Sequence, residues 1–144
     1  MLELTELAYA AGLVDGEGCI HAEKAHSIGN SYTVVVRVAN TDVRMVNWLK
    51  ETFGGFITND SGRRNKGVRK TCYQWVVKSR KAKDFLVLIR PYLKIKSKQA
   101  DIAVILQGLK GAYENPNNLG RTDEETAVEE LLAAELANSK KGDA

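Results

Sequence analysis

Residues 5–18 read TELAYAAGLVDGEG, Thr5 to Gly18, and this stretch decides how the rest of the chain is read. Thr5 is the expected N-cap, and Leu7, Ala8, Ala11 and Val14 recur at helical spacing to mark one face. Ala8, Gly12 and Gly16 fall four residues apart. On a helix that spacing stacks small residues along one side, where a second helix backbone can come unusually close. Asp15 and Glu17 sit at the end of this small-residue helix, where packing alone favours neutral groups. Gly18 then releases the chain into strands.

Charge is distributed unevenly around that helix. Residues 1–18 carry 4 acids and no Lys or Arg, residues 19–100 carry 17 Lys and Arg against 5 acids, and residues 101–144 carry 4 against 9. A strongly basic middle section under a formal net charge of only +3 points to a polyanionic partner, since Lys and Arg neutralise phosphates with release of counterions. Hydrophobic residues at 44% and charged residues at 27% are the balance of a soluble globular chain. No apolar run reaches membrane-spanning length and the N-terminus is acidic, so the expected setting is intracellular: cytoplasm or an organellar matrix, with no membrane and no small-molecule substrate. Cys19 and Cys72 have no metal-ligand spacing and read as buried free thiols.

Beyond the first helix, residues 19–26 and the β-branched run Ser31–Asn40 form a hairpin around the Gly29-Asn30 turn. Period-2 reading puts Tyr32, Val34, Val36 and Val38 on the core side and Thr33, Val35, Arg37 and Ala39 on the other. Thr41-Asp42 caps a helix reaching Phe53, which Gly54-Gly55 ends. A second hairpin pairs Phe56–Asp60 with Val68–Lys78 across the basic tip SGRRNKG. Helices follow over 81–93, broken at Pro91, and after the basic loop KIKSKQ; Asn115 to Asn118 link to an acidic amphipathic helix over about 122–138. Trp48 and Trp75 read as core anchors. The expected class is α+β in one domain spanning 1–144, with a core over about 5–111 and the order αββαββα plus an extra helix.

The nine residues Ala10 to Gly18, AAGLVDGEG, resemble the LAGLIDADG motif of a homing endonuclease family. Ala stands for the first Leu, Val for Ile, Gly for Ala, and Glu for the second Asp. Pro91 to Gln99, PYLKIKSKQ, is similar to the family's P-Y-L-x-x-K-x-x-Q segment. The resemblance implies a four-stranded antiparallel saddle with helices on one face, its other face in the DNA major groove, and motif helices of two domains packed at the centre. Single-motif members of this family dimerise, so the implied activity is a homodimeric, intron-encoded endonuclease that breaks both strands of a long pseudo-palindromic DNA site. The small-residue stripe supports a helix partner independently, with Ala8, Ala11, Gly12, Asp15 and Gly16 as the expected dimer interface.

The family pattern implies that Glu17, with the Gly16 carbonyl nearby, holds Mg²⁺ or another divalent cation such as Mn²⁺, while Ca²⁺ is expected to bind without supporting cleavage. It implies a helix-end or dimer-contact role for Asp15. Lys96 matches the basic residue of the catalytic pocket, and Asn40 and Arg44 are assigned to that pocket. Outward strand positions propose base contacts at His21, Glu23, Thr33, Val35, Arg37, Thr58, Lys70, Cys72, Gln74 and Val76. Arg37 and Gln74 are the side chains best suited to guanine and adenine edges. Arg63, Arg64, Lys66 and Arg69 are placed on the DNA backbone, which positions without specifying, and Lys98 is a further expected DNA contact. Two other readings use the same basic surface: a DNA-binding regulator without catalysis, and an RNA-binding splicing maturase.

Overall fold

The structure, a computed structural model, describes residues 2–24, 32–60, 71–112 and 123–140. In chain order the elements are α1 (Leu4–Glu17), β1 (Gly18–Lys24), β2 (Tyr32–Asn40), α2 (Val43–Phe53), β3 (Phe56–Asp60), β4 (Cys72–Lys78), α3 (Ser79–Ile89), a 3₁₀ turn at Arg90–Tyr92, α4 (Ser97–Ala112) and α5 (Asp123–Ser139). Two helices therefore follow α3, one more than the αββαββα-plus-one order. The four strands form an open antiparallel sheet in the order β1-β2-β4-β3.

Pairing register sorts every strand residue onto a face. Ile20 lies opposite Val36, Val36 opposite Val77, and Val38 opposite Trp75, so the inner face is a continuous apolar layer. All five of these side chains are buried, together with Ala10, Ala11 and Val14 of α1, Leu49 of α2, Phe85, Leu86 and Ile89 of α3, Ala103 and Leu106 of α4 and Leu136 of α5. Each large aliphatic residue taken from water in this way contributes about 1.5–3 kcal/mol. Trp75 is the largest of them, and its indole N–H donates to the Gly54 carbonyl at 2.8 Å, which removes the cost of burying that polar atom. Trp48 is only half-buried, edge-on to Tyr9 at 5.1 Å and to Phe53 at 5.9 Å.

Boundaries differ from the hydrophobic pattern where local hydrogen bonding outweighs it. α1 begins at Leu4, before Thr5, because Glu3 and Glu6 form a capping box in place of the expected Thr5 cap. Asp42 caps α2 by accepting from the Arg44 N–H at 3.0 Å, as the sequence anticipates. Gly54 and Gly55 then take φ values of 81° and 84°. A Cβ on Gly55 would lie 2.5 Å from the Val76 carbonyl oxygen, so this turn into β3 excludes any side chain. No helix among the described residues is long and apolar enough to cross a membrane.

Candidate nucleic-acid interface and carboxylate site

The C-terminal end of α1 meets the start of β1 without a connecting loop, and Gly18 makes this possible. Its backbone is extended, and a Cβ there would stand 2.7 Å from the Val14 Cα. The tight exit delivers Glu17 to the exposed edge of the sheet. Asn40, the last residue of β2, donates from Nδ2 to Glu17 Oε2 at 2.7 Å. The amide cannot be turned over, because Asn40 Oδ1 accepts the Asp42 N–H at 2.7 Å. Glu17 is thus held by a neutral donor, and no Lys or Arg pairs with it among the described residues.

Asp15, expected at a dimer interface or a helix end, is engaged within its own chain. Its carboxylate accepts three backbone N–H groups from the basic loop, those of Lys94 at 2.8 Å, Ile95 at 3.3 Å and Lys96 at 2.9 Å. Lys96 returns the contact: its Nζ donates to the Asp15 carbonyl at 2.8 Å. Carbonyls of a final helical turn lack intrahelical partners, and Lys96 satisfies one of them. The two segments that carry the family resemblance are thereby locked to each other. Lys96 also lines a pocket of about 350 Å³ with Gly18, Cys19, Gln99, Ser139 and Lys140. Arg44, by contrast, does not reach Glu17; its guanidinium closes on Asp42 at 2.7 Å and is 88% exposed, beside a groove between α1 and α2.

The outward face of the sheet carries Cys19, His21 and Glu23 on β1, Thr33, Val35, Arg37 and Ala39 on β2, Phe56 and Thr58 on β3, and Cys72, Gln74, Val76 and Lys78 on β4, as the register requires. Two proposed base-contacting residues on it are corrected: Val35 and Val76 are 0% and 1% exposed. Polar side chains close over the middle of this face. Arg37 Nη2 donates to Glu23 Oε1 at 2.6 Å, and Glu23 pairs in β1 with Thr33, so the Arg37 side chain lies back along β2 across Val35. Lys78 Nζ reaches Glu23 Oε2 at 3.3 Å from the far side of β2. His21 Nε2 lies 3.2 Å from Glu23 Oε1. Lys78 escaped the sequence reading, although one more step of the count through Cys72, Gln74 and Val76 reaches it.

Partial desolvation raises the Glu23 pKa, but hydrogen bonds from His21, Arg37 and Lys78 outweigh it and bring the group down from 4.5 to about 2. Because the folded-state value is depressed, the stability Glu23 contributes is complete above its unfolded value of 4.5 and is lost as pH falls through about 2. A carboxyl-carbon NMR titration is expected to find Glu23 still ionised near pH 3.5, roughly where ordinary carboxylates are mostly protonated. Ordinary titration of Glu23 there overturns the network.

Cys19 is an exposed thiol rather than a buried one, and Cys72 is half-buried; both are free. Cys19 is lowered from 9.0 to about 7, chiefly by its hydrogen bond with His21 and, against some desolvation, by Lys140. His21 is raised in turn, first by Cys19. Lys140 Nζ lies 3.4 Å from Cys19 Sγ, which brings the end of α5 to the sheet edge; nothing local in the acidic tail signals this. Ala8, Gly12 and Gly16 are exposed, whereas Ala11 is fully buried in the chain's own core and is corrected out of the expected interface. A Cβ on Gly12 or Gly16 would meet nothing within 4 Å among the described residues, so packing against these requires neither glycine. Arg63, Arg64, Lys66, Arg69 and Lys70 lie outside the described residues; Lys98 is exposed on the first turn of α4.

This open antiparallel sheet, with elements in the order αββαββα and two further helices, is the fold of the LAGLIDADG homing endonucleases. The homing endonuclease I-CvuI, solved in complex with its target in the presence of Ca, superposes with a TM-score of 0.73 at 20% identity, covering 96% of this chain and 83% of that one. The archaeal intron-encoded homing endonuclease I-Vdi141I, complexed with DNA, gives 0.74 at 18% identity over 94% of this chain and 84% of that one. I-SmaMI, a LAGLIDADG homing endonuclease bound to cleaved DNA, gives 0.67 at 20% identity; 93% of this chain matches only 44% of it. No protein-family profile and no curated protein matches the sequence.

Proposed function

We propose that this chain is a site-specific DNA endonuclease that acts as a homodimer and depends on a divalent metal. The observation that carries the reading is Glu17: an exposed carboxylate, oriented by Asn40 and unpaired with any cation among the described residues, at the edge of an outward face bearing Arg37, Gln74 and Lys78. An ionised carboxylate left without a cation at a phosphate-binding surface calls for a hard metal ion to offset the like charges. Among the described residues no three His, Cys, Asp or Glu come together. One chain therefore offers Glu17 and the Gly16 carbonyl, a donor set that suits Mg²⁺, which keeps several waters and shares phosphate oxygens, and a second Glu17 from a two-fold copy would add to it.

The exposed row Ala8, Gly12 and Gly16 supports such a copy, since two helices meeting there would bring both Glu17 residues to one axis. When bound, the metal polarises the phosphate and lowers the proton affinity of water. Lys96, fixed to the α1 terminus, would supply positive charge to the bound phosphate, and Asn40 holds one oxygen of Glu17. Hydrolysis joins a water oxygen to phosphorus as one phosphorus–oxygen ester bond breaks. Nine-residue β2 spans about 30 Å at ~3.4 Å per residue, close to one turn of B-DNA, so each protomer would cover one half-site.

Purified protein incubated with a randomised duplex library is expected to cut one long quasi-palindromic site in Mg²⁺ and none in EDTA, and to sediment at twice the chain mass. Sequence-specific binding without cutting makes the protein a regulator instead. Absence of salt-dependent duplex binding overturns the nucleic-acid reading altogether.

A further inference from the structure

Glu23 is an acid near the end of the edge strand β1, on a face where the basic side chains of Arg37 and Lys78 reach toward it from β2 and β4. Ion pairs as open to solvent as these contribute modestly to folding, and an anion facing a DNA backbone weakens association, so affinity for DNA does not account for its position. Its contacts suggest another purpose. Glu23 is the shared acceptor of side chains from three strands: His21 of β1 at 3.2 Å, Arg37 of β2 at 2.6 Å and Lys78 of β4 at 3.3 Å.

Arg37 is gripped from both flanks. Nη2 donates to Glu23, and Nη1 points to Gln74 Oε1 at 3.5 Å. Nε is buried without a partner among the described residues. A guanidinium has five N–H groups, two on each Nη, so among the described residues one donor on each Nη is without a partner, in a side chain that is 35% exposed. Two adjacent coplanar donors match the O6 and N7 acceptors of guanine, and Arg is the side chain most often found there. Holding the group in advance removes the rotamer entropy that a free Arg would lose on docking.

We propose that Glu23 is a positioning residue for DNA recognition: it orients Arg37, with Gln74, toward one guanine in each half-site, and withholds Arg37 and Lys78 from non-specific phosphate contacts. This rests on the proposed action on DNA and adds the origin of its selectivity. A residue that repels phosphate yet fixes a base-reading donor weakens binding to every sequence and spares the correct one, which is how unfavourable contacts generate specificity.

The test compares wild type, Glu23→Ala, Glu23→Gln, Arg37→Ala and Glu23→Ala/Arg37→Ala on sites selected from a randomised duplex library. Wild type is expected to prefer guanine at one position per half-site. Arg37→Ala removes that preference, Glu23→Ala lowers it about tenfold or more, and the double variant loses no more than Arg37→Ala alone. Glu23→Gln, which keeps one acceptor but no charge, retains part of the preference. Both Glu23 variants bind unrelated duplex more tightly, with a salt slope steeper by about 0.9 for each additional phosphate neutralised. A purely structural Glu23 would instead lower the melting temperature and weaken all positions evenly, and that result overturns the proposal. So does an unchanged base preference in Glu23→Ala, or a wild-type site with no guanine that depends on Arg37; in both cases DNA recognition itself stands. Wild type that fails to bind duplex DNA sinks both.

Discussion

Glu17→Gln is expected to lose cleavage by about 10³-fold while site-specific binding persists. The substitution keeps the volume of the side chain, and the amide oxygen can still accept from Asn40 Nδ2 as Glu17 Oε2 does at 2.7 Å. What disappears is one negative charge per chain at the end of α1. Because Glu17 is exposed, no cation pairs with it among the described residues and its hydrogen bond from Asn40 survives as an amide acceptor, the folding free energy should stay within about half a kcal/mol of wild type. Loss of like charge next to phosphates favours binding rather than opposing it. Single-turnover cleavage in Mg²⁺ and anisotropy titration of the same duplex separate the two effects. A rate within tenfold of wild type removes Glu17 from the metal site.

Asp15→Ala is expected to cost about 2–3 kcal/mol of stability, a loss of about 5–10 °C in melting temperature for a chain of this size, together with most of the cleavage activity. Three backbone N–H donors at 94–96 lose a charged acceptor at once, and the loop that carries Lys96 loses its attachment to α1. Water can replace part of this on the exposed side, which keeps the figure below the sum of three charge-assisted bonds. Thermal unfolding and sedimentation should be run on the same sample. A variant that melts normally but becomes monomeric would make Asp15 a subunit contact after all.

Most of the fold is legible from local pattern. The small-residue helix, the two antiparallel strand pairs, the Asp42 cap and the Gly54-Gly55 stop follow from local pattern, and all four are in the structure, while the Gly29-Asn30 turn and the SGRRNKG tip lie outside the described residues. Period 2 also assigns the faces of β2 and β4 correctly. It cannot say what lies above a face: Val35 and Val76 point outward as expected yet are buried, and over Val35 the side chains of Arg37, Glu23 and Lys78 converge from three strands. Likewise helical spacing puts Ala8 and Ala11 in the same interface, but packing against the sheet buries Ala11 and leaves Ala8 exposed.

The site divides along the same line. Glu17 and Lys96 stand out in the sequence through the motifs around them, and the basic middle section by itself indicates a polyanionic partner. The bonds that give these residues their roles join positions far apart in the chain: Asn40 to Glu17 across 23 residues, Asp15 to the 94–96 loop across 79 to 81, and Lys140 to Cys19 across 121. Sequence periodicity reports where a side chain points relative to its own element, since that follows from backbone geometry. Which side chain it meets depends on strand order and helix docking, which minimise the exposed apolar area of the whole chain, and only the tertiary structure decided that.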